Sequence, residues 1–125
     1  MKYFLEPIYL TDWNIFSEVC SFSYEENFYA TKEMEIGNMV FFYVTKNNED
    51  KILSGIYGNS IVINSPYINK NDRYVVDIKI KYIRFDEPIL DFDICMKYLK
   101  QVSSVHRIED AIMVELMKTN LARIL

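Results

Sequence analysis

Residues 73–83 alternate in character: Val76, Ile78, Ile80 and Tyr82 are apolar, and the residues between them, Asp77, Lys79 and Lys81, are charged. Successive side chains of a strand point to opposite faces. The pattern therefore predicts a strand with one face in a core and the other in water. A strand of that kind belongs to a sheet covered on one side, and every other element must supply partners or cover for it. Residues 39–44, Met-Val-Phe-Phe-Tyr-Val, are apolar at every position and predict a strand buried on both faces. The run Asn47-Asn48-Glu49-Asp50 reads as a turn, and residues 52–57 return as a strand, which makes a hairpin. Gly55 and Gly58 inside that pattern predict a bulge or tight bend of the sort that curls a sheet toward a barrel. Residues 60–64 continue as strand and residues 66–72 read as a loop.

The flanks are mixed. Residues 2–8 read as a short strand limited by Pro7. Thr11 is placed to cap a helix, with Asp12 in its first turn, and Trp13, Phe16 and Cys20 fall on one helical face. Residues 21–23 read as a loop, and residues 25–34 as a second short helix ending near Gly37. In the last third, Ile94, Tyr98, Leu99 and Val102 form a helical stripe capped by Asp91 or Asp93. A further stripe runs through Ile108, Ala111, Ile112 and Leu116. Strand, helices, strands and helices in that order predict a single α+β domain over 1–125, built on a small curled antiparallel sheet. Half of the residues are apolar and 15% are aromatic, enough for a core without metal or disulfide staples.

Charge and motif content narrow the function. A net charge of −4 argues against broad phosphate binding, which depends on many Lys and Arg. The N-terminal MKYFLEPIYL carries Glu6 and Pro7 and does not read as a signal peptide. No apolar run of about 18 residues is present. Cys20 and Cys95, far apart in apolar surroundings, read as buried thiols in a reducing compartment, so an intracellular, cytoplasmic location is expected, or a nuclear one in a eukaryote. There is no CxxC, no HExxH and no GxxxxGK[ST], so no metal and no cofactor are expected. A catalytic triad would have to use the one histidine, His106. Asp86, Glu87, Asp91 and Asp93 read as a solvated loop and a helix cap. No enzyme activity is expected.

Four stretches in this order resemble the EVE domain, a PUA-like family related to YTH and ASCH domains. They are Trp13 after the first strand, Met34-Glu35-Ile36-Gly37-Asn38 leading into residues 39–44, Ile52-Leu53-Ser54-Gly55-Ile56-Tyr57, and Tyr74-Val75-Val76-Asp77-Ile78-Lys79-Ile80 with Phe85-Asp86-Glu87-Pro88 before a helix. The chain departs from the family at four places: Phe22-Ser23-Tyr24 stands where Trp-Gly-Val is usual, Asn38 where Asp is usual, the short Ser103-Ser104-Val105-His106-Arg107 where a basic, aromatic loop is usual, and Val114 where an Arg is usual. The resemblance implies a curled antiparallel β pseudo-barrel of about five or six strands flanked by short helices. It also implies a pocket at one end that holds a modified nucleobase of DNA or RNA between aromatic walls.

On that basis Phe22, Ser23 and Tyr24 are the candidate pocket wall. Trp13 either lines the pocket or packs on the sheet, and Tyr43 either reaches the pocket or sits in the core. Asn27 can read a base edge, since an amide both donates and accepts. His106 and Arg107 are candidates for contact with the nucleic-acid backbone. The alternative is a domain that keeps the fold, has lost the nucleic-acid pocket and binds another protein.

Overall fold

In a computed structural model, residues 1–8, 19–24, 32–45, 52–99 and 105–125 are described. Among them, one sheet carries the architecture. Its strands are β1 (Tyr3–Ile8), β2 (Val19–Tyr24), β3 (Met39–Val44), β4 (Gly55–Val62), β5 (Tyr67–Ile68), β6 (Tyr74–Ile83), β7 (Leu90–Asp91) and β8 (His106–Ile108). The spatial order is β2-β6-β4-β3-β1-β8, with β5 beside β6 and β7 beside β4. Pairing is antiparallel except between β1 and β3, which run parallel from Tyr3 opposite Met39 to Ile8 opposite Val44. The sheet is curled but not closed: no pairing joins β2 to β8 among the described residues. The curled sheet and its flanking helices agree with the predicted PUA-like α+β architecture, and the one parallel pair is an addition to it.

Alternation along the strands sends side chains into two cores. One face carries Phe4, Ile8, Val40, Phe42, Val44, Tyr57, Val62, Val76 and Ile78. The other carries Leu5, Phe41, Tyr43, Ile56 and Ile108, and on it pack two helices, α1 (Phe92–Tyr98) and α2 (Ala111–Ile124). The six residues of β3 are buried or half-buried because both faces are covered, as the unbroken apolar run predicts. Asp91 caps α1 by accepting the Ile94 N–H at 2.9 Å. Asp110 caps α2 by accepting the N–H groups of Ile112 and Met113.

Two bulges give the sheet its curl. Phe42 faces Gly58 and Tyr43 faces Ile56, so Tyr57 is the extra residue of β4. Asn59 faces Tyr82 and Ser60 faces Ile80, so Lys81 is the extra residue of β6. Each added residue reverses the alternation beyond it. This corrects the single-face reading of β6: Val76, Ile78 and Ile80 share one core, while Tyr82 joins the helix-covered one.

Three other expectations are corrected. Residues 21–23 are not a loop; they lie in β2, whose serines face out while Cys20 and Phe22 turn toward the core. Polar residues at every second position are a strand signature as much as a loop one. Cys20 accordingly belongs to a strand and not to the helical face of Trp13 and Phe16. In α2 the buried stripe is Met113, Met117 and Leu121, with Ile112 exposed, and Ile108 lies in β8. The cap at Asp110 sets where the helix begins, and burial follows the four-residue spacing from Met113. Residues 47–50, read as a turn, and most of the helix read over 25–34 lie outside the described residues.

Candidate functional site

The candidate pocket wall lies at the end of the sheet where β2 finishes and β6 begins. Tyr24 faces Tyr74 across the β2–β6 ladder, and Tyr74 faces Ile68 across the β5–β6 ladder. Cross-strand partners share a face, so Tyr74 and Ile68 form one row on the Phe22 side of the sheet. Phe22 sits one position inward on that face, half-buried, with its ring edge-on to Phe42 at 6.0 Å between centroids. Ile68 is 53% exposed, so the row grades from a packed floor to an open lip.

The lip is held by its own hydrogen bonds. The Asn69 side-chain oxygen accepts from the backbone N–H of Asn71 and of Arg73, and Asp72 takes a left-handed φ of 58°. An Asx turn of this kind fixes a short hairpin without apolar packing. Arg73 then reaches across to β2: its Nε donates to the Ser23 hydroxyl at 2.9 Å, and its Nη2 to the Ser23 carbonyl at 3.0 Å. Ser23 and Arg73 are exposed and alternate with Phe22 and Tyr74, so this contact lies on the face away from the Phe22 side. On the same face Asp77 accepts from Ser21 at 2.5 Å and from Asn64 at 2.9 Å, tying β2 and the chain after β4 to β6.

The sequence candidates distribute unevenly over this frame. Phe22, Ser23 and Tyr24 fall together at the β2 end. Trp13 and Asn27 lie outside the described residues. Tyr43 lies on the other face, 1% exposed in the helix-covered core, which removes it from the Phe22 wall. Its hydroxyl is buried without a hydrogen-bond partner. Burial pushes its pKa up, Cys95 adds to the rise, and Ser54 opposes it. His106 and Arg107 are strand residues of β8, and β8 and β2 are the two ends of the sheet order. Arg107 pairs with Glu33 at 3.6 Å. Sequence reasoning missed Arg73 and Ile68, and it met Tyr74 only as part of a strand pattern. The signal was there in the turn chemistry of Asn69 to Asp72, which brings whatever precedes and follows it to one place.

Neither thiol is set up as a nucleophile. Burial pushes Cys20 up to about 11 and Cys95 up to about 12. Both are free. Native protein at pH 8 should therefore resist alkylation by iodoacetamide, Cys95 more than Cys20, and label at both once unfolded in urea. Mass spectrometry reads the outcome, and rapid native labelling at Cys95 would contradict it. Because the folded state holds the Cys95 proton more tightly, its contribution is present in full below pH 9. It is lost as the pH rises from there toward 12.

No protein-family model matches the sequence, and no curated protein matches it. At the level of shape the fold is the PUA-like α+β fold that the EVE resemblance implies. Human THYN1, solved in complex with DNA containing 5-methylcytosine, superposes with a TM-score of 0.67 at 12% identity, over 96% of this chain and 98% of its own. A hypothetical protein from Leishmania major gives a TM-score of 0.66 at 16% identity, over 100% of this chain and 98% of its own. Rpa0253 from Rhodopseudomonas palustris gives 0.65 at 17% identity, over 98% and 94%. At these identities the likeness is one of fold.

Proposed function

We propose that the chain is a non-catalytic nucleic-acid binding module whose aromatic row at the β2–β6–β5 end takes up a modified nucleobase of DNA or RNA. The observation that carries this reading is the alignment of Tyr74 and Ile68 on the Phe22 side of the sheet, at the end where β2 finishes. A base offers a face for stacking to such a row. The 5-methylcytosine DNA held by THYN1, a protein of the same fold, supports the ligand class. The overall charge of −4 fits a module that grips one nucleotide more than one that tracks a backbone.

The test is an amide NMR titration with short oligonucleotides, single- and double-stranded, with and without 5-methylcytosine. Shifts are expected at Phe22, Tyr24, Ile68 and Tyr74, larger for the modified base. Tyr74→Ala should weaken binding by about 1–3 kcal/mol, the usual worth of one stacked base. The salt dependence should be shallow, since few phosphates are neutralised. Absence of any shift at low salt would remove nucleic acid as the ligand. Tyr67 and Ile68, 45% and 53% exposed, would then become the part of this lip to test against a protein partner.

A further inference from the structure

We propose that a second cavity, at the opposite end of the sheet, binds a small protonated amine carried on an apolar body. It has a volume of about 780 Å³ and opens between the segment before β4 and the segment that joins β6 to α1. This lies within the roughly 300–1,000 Å³ of small-molecule sites. β6 is 10 residues long and runs from the aromatic row to this end. At about 3.4 Å per residue the two places are separated by roughly 30 Å along the strand.

The chemistry of the walls selects the ligand. Tyr57 and Phe85 meet as tilted rings with centroids 5.9 Å apart, and Phe92 adds a third aromatic wall. The Tyr57 hydroxyl donates to the Leu53 carbonyl at 2.7 Å, which fixes the ring in place. Asp91 and Asp93 line the same cavity, and among the described residues no lysine or arginine does. Asp91 uses one oxygen to cap α1, and among the described residues no cation pairs with Asp91 or Asp93. The nearby Arg84 is taken by Asp86, and Arg123 stands 4.0 Å from Glu87.

A second, independent feature points inward. Ser54 lines the cavity at only 9% exposure. Its hydroxyl oxygen can accept from a ligand N–H that reaches it. Aromatic faces and carboxylates together attract an ammonium group and repel an anion. The Leu53 and Ile52 side chains offer contact to the apolar body.

The experiment uses three probes of one shape: phenethylamine, 2-phenylethanol and 3-phenylpropionate, titrated at pH 7 into labelled protein. The amine should shift the amides of Ser54, Tyr57, Phe85 and Phe92. It should bind at least about fivefold more tightly than the alcohol, as a partly exposed charge interaction permits. The carboxylate should not bind. The double variant Asp91→Asn, Asp93→Asn keeps a capping side chain on α1. It should retain the native amide spectrum while weakening the amine about tenfold, the sum of two such pairs. Equal binding of the three probes, no shifts around the cavity, or unchanged amine affinity in a folded double variant would each overturn the proposal. Oligonucleotide shifts at Phe22 and Tyr74 should be the same in the double variant, which separates this cavity from the aromatic row.

Discussion

Substituting Phe42 with alanine is expected to lower the free energy of unfolding by about 3–5 kcal/mol, the range for truncating a buried phenylalanine. The ring has 0% exposure and lies on β3, between β1 and β4 in the middle of the sheet. Its neighbours are strand residues fixed by ladders on both sides, so the hole left behind can close only in part. Urea unfolding checks the result, as a fall in midpoint with an unchanged slope. A loss under about 1 kcal/mol would mean that the sheet collapses into the space, contrary to the rigidity described for β3. The substitution also reaches the candidate site, because Phe22 rests edge-on against this ring. Oligonucleotide shifts at Phe22 should weaken in the alanine variant even at temperatures where it is folded.

Gly58→Ala is expected to cost about 3 kcal/mol or more, through crowding and not through a cavity. A β-carbon at Gly58 would stand 2.6 Å from the Tyr82 carbonyl oxygen and 3.0 Å from the Ile83 Cγ1. The first of these is backbone, in the ladder partner of β4, and cannot rotate away. Relief requires moving β6 off β4 between the two bulges, where both strands already change register. The midpoint of urea unfolding again reads the effect. A variant as stable as the native chain would show that the β4–β6 crossing has slack there.

The strands were legible wherever one rule of side-chain direction held along their length. Residues 39–44 and the first half of β6 are of that kind, and both form as the sequence predicts. The rule broke at Lys81, where an unpaired residue turns Tyr82 to the other face. A bulge of that sort depends on the register of the partner strand, which a pattern within one strand does not contain. β2 was hidden for a related reason. Its serines face out in a segment that carries only two core side chains, Cys20 and Phe22, among those described.

The site was legible in part. Phe22, Ser23 and Tyr24 are consecutive, so any reading that found one found all three. Tyr74, Ile68 and Arg73 join them only through cross-strand register and the Asn69 turn, neither of which is visible before the pairing is known. Tyr43 shows the converse. An aromatic in an all-apolar strand carries no sign of which face it takes, and the helix-covered face took it.

β1 gains partners from distant parts of the chain: β3 on one side, and β8, with Tyr3 opposite Ile108, on the other. Its second edge is therefore answered by a segment that emerges after all the other strands. A ribosome releasing this chain would expose an assembled but unfinished edge until the residues of β8 appear, a template for pairing with a neighbouring copy. Fragments ending before residue 105 lose this strand and, with α2, the cover of one core, and both losses should make them prone to aggregate.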